Sequence, residues 1–180
     1  MPDTGMKIAV WILMVQACLG AFDTLYYHEF RLKLAHGNNS QTELRLHAIR
    51  DFLYALIIGT LGFVTWNGPL AWVLFAALFA EIIITLNDFV EEDRIRKLPP
   101  GERVMHAIMG IVYGAFLAYL LPEMWRWHLL PGGFGAAYHG FPAWVLAIVA
   151  AGVFGSGVRD LAASFGFAPD RPAGSKREPG

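Results

Sequence analysis

Apolar residues fall in five runs, each near the ~20 residues a helix needs to cross a hydrocarbon layer. They are about Met6 to Glu29, Glu43 to Val64, Leu70 to Val90, Val104 to Leu121 and Pro142 to Leu161, with short polar or Pro/Gly-rich stretches between them. Polar residues inside the runs are patterned. Gln16, Gly20, Asp23 and Tyr27 recur at steps of four, three and four, as do Glu81, Thr85, Asp88 and Glu92, which puts each set on one side of a helix. Glu43, His47, Arg50, Asp51 and Tyr54 share a face of the second run, and Glu102 and His106 lie one turn apart where the fourth begins. The fifth run carries Ala147, Ala151 and Gly155 with Gly152 and Ser156 beside them, small-residue ridges expected to serve close helix packing.

The connecting stretches predict turns. Ser40 after the His36 to Asn39 turn pairs with Glu43 as a capping box for the second helix. Trp66-Asn67-Gly68-Pro69 predicts an outer turn and Leu98-Pro99-Pro100-Gly101 an inner one. Trp125, Trp127, Phe134, Tyr138, Phe141 and Trp144 surround a second outer loop, as expected of side chains anchored at headgroup level, with His128 and His139 in solvent. Twelve of the 14 Lys and Arg flank the two inner turns and the last span, so the N-terminus is expected outside and the C-terminus in the cytoplasm.

Composition agrees with a membrane protein. Of the 180 residues 56% are hydrophobic and 16% charged. The net charge of -1 gives no basis for nucleic-acid binding, and Cys18 alone offers neither a disulfide framework nor a thiolate metal site. No glycine motif for nucleotides and no haem-attachment motif occurs. The first run lacks the basic start and cleavage site of a signal peptide and is read as retained. Residues 1–168 are expected to form one transmembrane domain, and 169–180, polar and rich in Pro and Gly, a disordered cytoplasmic tail.

An internal repeat shapes the expected fold. The segment ELRLHAIRDFLYAL from Glu43 aligns without a gap on ERVMHAIMGIVYGA from Glu102, matching Glu, His, Ala, Ile and Tyr, and HEFRLKL aligns on EDRIRKL before them. The expectation is an all-α integral membrane protein of five transmembrane helices. Two repeated helical hairpins, about 6–64 and 70–121, would form a four-helix bundle, with a fifth helix at about 142–161 at its periphery.

The duplicated pattern, a carboxylate-bearing helix and an E-x-x-x-H helix, resembles the ferritin-like di-iron carboxylate bundles, which use a Glu from each of two helices and Glu-x-x-His from the other two. Glu102-Arg103-Val104-Met105-His106 resembles the E-R-M-H element of the alternative oxidases, with a spacing of four where that family has three. Both spacings keep the pair on one helix face, at different ligand angles. The resemblance implies a di-iron or other divalent transition-metal centre held by His28, Glu29, Glu43, His47, Glu92, Glu102, His106 and Asp23. An oxygen-rich set with some imidazole suits iron, manganese or zinc. It implies a metal-dependent oxidase, hydroxylase or desaturase acting on a lipid, quinone or isoprenoid at the cytoplasmic leaflet, served by an external electron donor. Glu81, Asp88, Tyr54 and Tyr113 are the expected catalytic groups. The chain is also similar to small multi-pass bacterial membrane proteins, which implies an inner-membrane location.

Other readings stand beside these. Glu43 can be only a capping residue, Glu102 only a first-turn acid opposing the helix dipole, and Glu91, Glu92 and Asp93 only partners of Arg94, Arg96 and Arg103. Glu81 lies ~16 Å deeper than Glu92 at the helical rise, where a charged acid costs about 2.5 kcal/mol or more. It is therefore neutral or partnered, as a proton relay or as a plain interhelical hydrogen bond. A proton or ion pathway along Asp23, Glu81 and Asp88 is the second functional reading. A structural subunit, docking a partner or a second copy through the fifth helix, is the third.

Overall fold

A computed structural model of the chain describes residues 4–23, 26, 41–95 and 99–166, and at 41–43 and 91–95 it describes the backbone alone. The described residues form α1 (Thr4–Asp23), α2 (Gln41–Leu61), β1 (Val64–Asn67), α3 (Leu70–Ile95), α4 (Pro100–His128), β2 (Gly133–Ala136) and α5 (Phe141–Ser164). Four of the helices, α1, α3, α4 and α5, are long and apolar enough to cross a membrane. The first half of α2 carries Glu43, Arg45, His47, Arg50 and Asp51, which lower its apolarity below theirs. Exposed Ile111, Val90, Ile148 and Phe79 put large apolar side chains on the outer surface.

The helices close into a ring in the order α1, α4, α3, α2, α5 and back to α1. The most extensive seam joins α2 to α5 and the thinnest joins α3 to α4. This differs from two hairpins with a peripheral fifth helix. α1 and α2 scarcely touch, α1 packs mainly on α4 of the other half, α2 packs on α5 and then on α3, and α5 is a wall of the ring. Close approach explains the α2–α5 seam: a Cβ at Gly62 would lie 2.9 Å from Ala143 Cα, one at Gly59 3.2 Å from Ala150 Cβ, and one at Gly157 3.0 Å from the Phe52 ring. The small residues that matter for packing are therefore these, and Gly152 and Gly155 face open space instead.

Two short antiparallel strands, unforeseen in an all-helical expectation, tie one end of the ring together. Val64 pairs with Ala136 and Asn67 with Gly133, so the turn after α2 and the loop after α4 meet. Gly135 permits this, because a Cβ there would collide with Thr65 Oγ1. Gly68, at φ 60, takes the left-handed turn into α3 and donates its N–H to Trp127 O at 2.8 Å. Trp66 packs edge-on against Phe134, ring centroids 5.1 Å apart.

The fourth helix runs through Pro122 to His128, seven residues past the expected end at Leu121. Its charged last turns read as loop in the sequence, but Glu123 is buried, bonded to Arg126 at 2.9 Å and lodged where a Cβ on Gly5 would sit. That carboxylate lies at the first turn of α1, the end a negative charge stabilises. Trp125, Phe134, Tyr138, Phe141 and Trp144 are exposed as expected of an interfacial belt, whereas Trp127 is core. His128 is not simply solvated: it packs on Trp125 and Trp72 and bonds to Trp125 O, and the ring nitrogens of His139 are shielded.

The interior has two halves. Toward the strands it is solid, filled by Val10, Leu13, Ile57, Ile58, Leu61, Leu74, Leu78, Phe116 and Leu120. Beyond that layer it is hollow.

Candidate functional site

The hollow half is a cavity of about 930 Å³ to which all five helices contribute. Its floor, next to the solid core, is polar. Gln16 on α1, Tyr54 on α2, Glu81 on α3 and Tyr113 on α4 line it, and each presents a buried oxygen with no hydrogen-bond partner: Gln16 Oε1, Tyr54 OH, Glu81 Oε2 and Tyr113 OH. Thr85 donates to the other Glu81 oxygen at 2.9 Å. The Tyr113 hydroxyl sits beside the Glu81 carboxyl, though without ordinary hydrogen-bond geometry. Ile82, Leu86, Phe89, Met109, Leu117 and Val149 supply apolar wall. So do Gly20, Gly110, Gly114, Gly152 and Gly155, at each of which a Cβ would meet nothing within 4 Å.

The other end of the cavity is an ionic tier. His47 donates from Nε2 to Asp88 Oδ1 at 2.9 Å, and Arg50 bonds to Asp88 Oδ2. Arg50 also lies 3.6 Å from Asp51, whose carboxyl faces Ser156 on α5, where Arg159 pairs with Asp160 at 3.0 Å. Across the ring, His106 Nε2 is 3.6 Å from Asp23 Oδ2, and the His106 ring is stacked on Phe89 with centroids 4.2 Å apart. Asp88 and Asp23 are both nearly fully buried, so their partners replace lost water. Seven residues, or ~10 Å of helical rise, separate floor from tier along both α1 and α3.

The two halves of the repeat contribute alike. Gln16 and Glu81, Asp23 and Asp88, His47 and His106, and Tyr54 and Tyr113 occupy equivalent places in the two stripes and the two aligned segments. Each half's histidine meets the other half's aspartate: α2 reaches to α3, and α4 to α1. The symmetry breaks at Arg50, where the second half has Met109.

Of the residues expected from sequence, Glu81, Tyr54, Tyr113, Asp23 and His106 line this cavity, and Asp88, His47 and Glu102 are buried without lining it. Glu102, fully buried, sits one turn before His106. Glu43 and Glu92 lie on α2 and α3 with their side chains outside the described residues, and His28, Glu29, Tyr27 and the 169–180 tail are outside them altogether. Among the described residues no three His, Cys, Asp or Glu side chains converge closely enough to hold a metal ion. Arg50, Asp51, Phe89 and the five wall glycines are additions to the expected site. The first two are visible as members of the second helix's polar face; the glycines carry no signal separating them from packing glycines.

The fold and site thus define a class: an all-helical ring with apolar, membrane-length helices around a polar-floored internal chamber. No family model, curated protein or solved structure matches the chain.

Proposed function

We propose that the protein is a five-span membrane metalloenzyme that oxidises a lipid-like substrate drawn from the bilayer into the chamber, its ionic tier at the cytoplasmic side. The observation that supports this reading is the duplicated carboxylate–imidazole pair. A histidine held through one ring nitrogen by a buried carboxylate is oriented to bind a metal through the other, the usual arrangement around metal-ligating histidines. His47 and His106 would bind through Nδ1, with Glu43 and Glu102, one turn before them, as carboxylate ligands and Glu29 and Glu92 completing the set. A transition metal so held would supply Lewis-acid or dioxygen chemistry.

The chain's own residues supply the rest. Asp88 fixes the His47 imidazole through its hydrogen bond, and Asp23 stands 3.6 Å from that of His106. Arg50 balances the charge of Asp88 beside the chamber, and Phe89 holds the His106 ring in place. The apolar wall admits a membrane-dissolved molecule and excludes water. A proton pathway is less well supported, because beneath Glu81 the interior is closed by Leu13, Ile58, Leu61 and Leu78, with no polar continuation among the described residues.

Metal analysis of the purified full-length protein tests the proposal. The expectation is at least one iron, manganese or zinc per chain, lost in a His47→Ala/His106→Ala variant that keeps its helical circular dichroism, and bound about 10- to 100-fold more weakly in Asp88→Asn. Wild-type protein from metal-supplemented cells with less than a stoichiometric metal, or content unaffected by the double variant, sinks it.

A further inference from the structure

We propose that the chamber floor is a binding site for an uncharged, hydroxyl-headed amphiphile, with the hydroxyl among Gln16, Tyr54, Glu81 and Tyr113 and the apolar chain leaving through the seam between α3 and α4. The metalloenzyme reading bears only on the chemistry after binding; the site itself stands on its own geometry.

Unpartnered buried oxygens are costly, at about 1–3 kcal/mol each; the Tyr113 hydroxyl and the Glu81 carboxyl have each other close by, which leaves Gln16 Oε1 and Tyr54 OH in the same layer unexplained. Gln16 and Glu81 are only 8% and 6% exposed, and neither can turn to solvent without repacking the ring. Their partner must come from inside the chamber. A hydroxyl both donates and accepts, so it serves the Gln16 amide in either orientation, the acidic oxygen of Glu81 and the two phenols. A carboxylate or phosphate head is disfavoured: the two arginines that reach the cavity, Arg50 and Arg159, are each engaged with an aspartate. An ammonium head offers donors alone, so it cannot accept from the Glu81 acid or from the phenols.

The rest of the chamber suits an apolar chain. Its volume of about 930 Å³ is made by glycines that touch no neighbour, so the space is held open at positions where any larger side chain would fill it. Leu86, Gly110 and Gly114, all exposed, line the cavity on α3 and α4, whose mutual contact is the thinnest in the ring. A chain lying there would pass from the floor to the surrounding apolar phase, within reach of the tier ~10 Å away.

Photolabelling tests this with the full-length protein in nanodiscs, using hexadecanol that carries a mid-chain diazirine. Saturable labelling is expected on peptides from α3 and α4, with hexadecanol displacing the probe at about tenfold lower concentration than hexadecane, palmitate or hexadecylamine. Dioleoylglycerol serves as a second hydroxyl-bearing competitor. Displacement by either hydroxyl-bearing lipid supports the proposal, and the stronger of the two identifies the one-chain or two-chain source. Tyr113→Phe and Gln16→Leu should each weaken hexadecanol competition about three- to tenfold while leaving hexadecane unchanged, and Gly114→Leu should abolish labelling. Equal or better competition by hexadecane, palmitate or hexadecylamine overturns the proposal, as does labelling confined to other peptides. The wild-type competitor series decides between these outcomes even if a variant fails to fold. Metal content measured on the same preparation separates the two readings. A metal-loaded chain that ignores the alcohol refutes this inference alone, and a metal-free chain that binds it refutes the catalytic reading alone.

Discussion

The tie between Asp88 and Arg50 joins a carboxylate near the polar end of an apolar helix to a guanidinium on the neighbouring wall. The side chain of Asp88 is 4% exposed and that of Arg50 22%, so water screens neither well. Removing one member of such a pair leaves the other charge buried and typically costs about 3–5 kcal/mol. Arg50 retains Asp51 at 3.6 Å and Asp88 retains His47 at 2.9 Å, so the lower end of that range, about 3 kcal/mol, is expected for each of Asp88→Asn and Arg50→Met. Methionine is the informative replacement, since Met109 stands at the equivalent place in the other half. The double variant buries no unmatched charge from this pair. It should lose about 4 kcal/mol instead of 6, a coupling of about 2 kcal/mol. Reversible unfolding in mixed micelles of rising dodecyl sulfate fraction, followed by circular dichroism, reads all four corners of the cycle. Single losses below about 1 kcal/mol, or losses that add to within about 0.5 kcal/mol, would refute the claim that the pair is a buried electrostatic tie between α2 and α3.

Other expectations concern the glycines and the acid at the strand end. Gly114→Ala and Gly152→Ala should each stabilise the protein by about 0.5–1 kcal/mol in the same unfolding assay, since helix propensity improves and the new methyl touches nothing. Gly62→Ala should do the opposite, because its Cβ would meet Ala143 Cα at 2.9 Å and force α2 from α5; an unchanged midpoint would contradict the seam. Gly5→Ala should destabilise by displacing the Glu123 carboxylate from the start of α1, and a Gly5→Ala/Glu123→Ala double variant should lose less than the two single losses combined.

Which faces turn inward can be read from the chain, and which helices meet cannot. Steps of four and three put Glu81, Thr85 and Asp88 on one side of α3, and that side does face the interior, as do Gln16 and Asp23 on α1. The period of a helix marks its polar stripe but carries nothing about the neighbour across from it. Two repeated hairpins suggest that α1 lies along α2, and instead each lies along a helix of the other half. The strands are illegible for a similar reason. Four residues each are too few for their alternation to stand out, and their pairing depends on Gly135 clearing Thr65, a fact about a distant segment.

The interleaved arrangement explains why the repeat is polar where it is. Had the hairpins packed as units, His47 would face Asp23 and His106 would face Asp88, and each half could satisfy its own buried charges. In the ring, the Asp of one half holds the His of the other, so neither half is complete and the buried ions fix which helices may become neighbours. An ion pair of this kind adds little net stability compared with apolar packing, but a wrong neighbour leaves a carboxylate and an imidazole unmatched in an apolar interior. α5 then finds its place by another rule: small residues of α2 and α5 let it approach, while its remaining glycines face the chamber and hold it open. The chamber is thus a consequence of how the ring closes, with two seams that carry carboxylate–imidazole contacts, α1–α4 and α2–α3, one close-packed seam, α2–α5, and a sparse one, α3–α4.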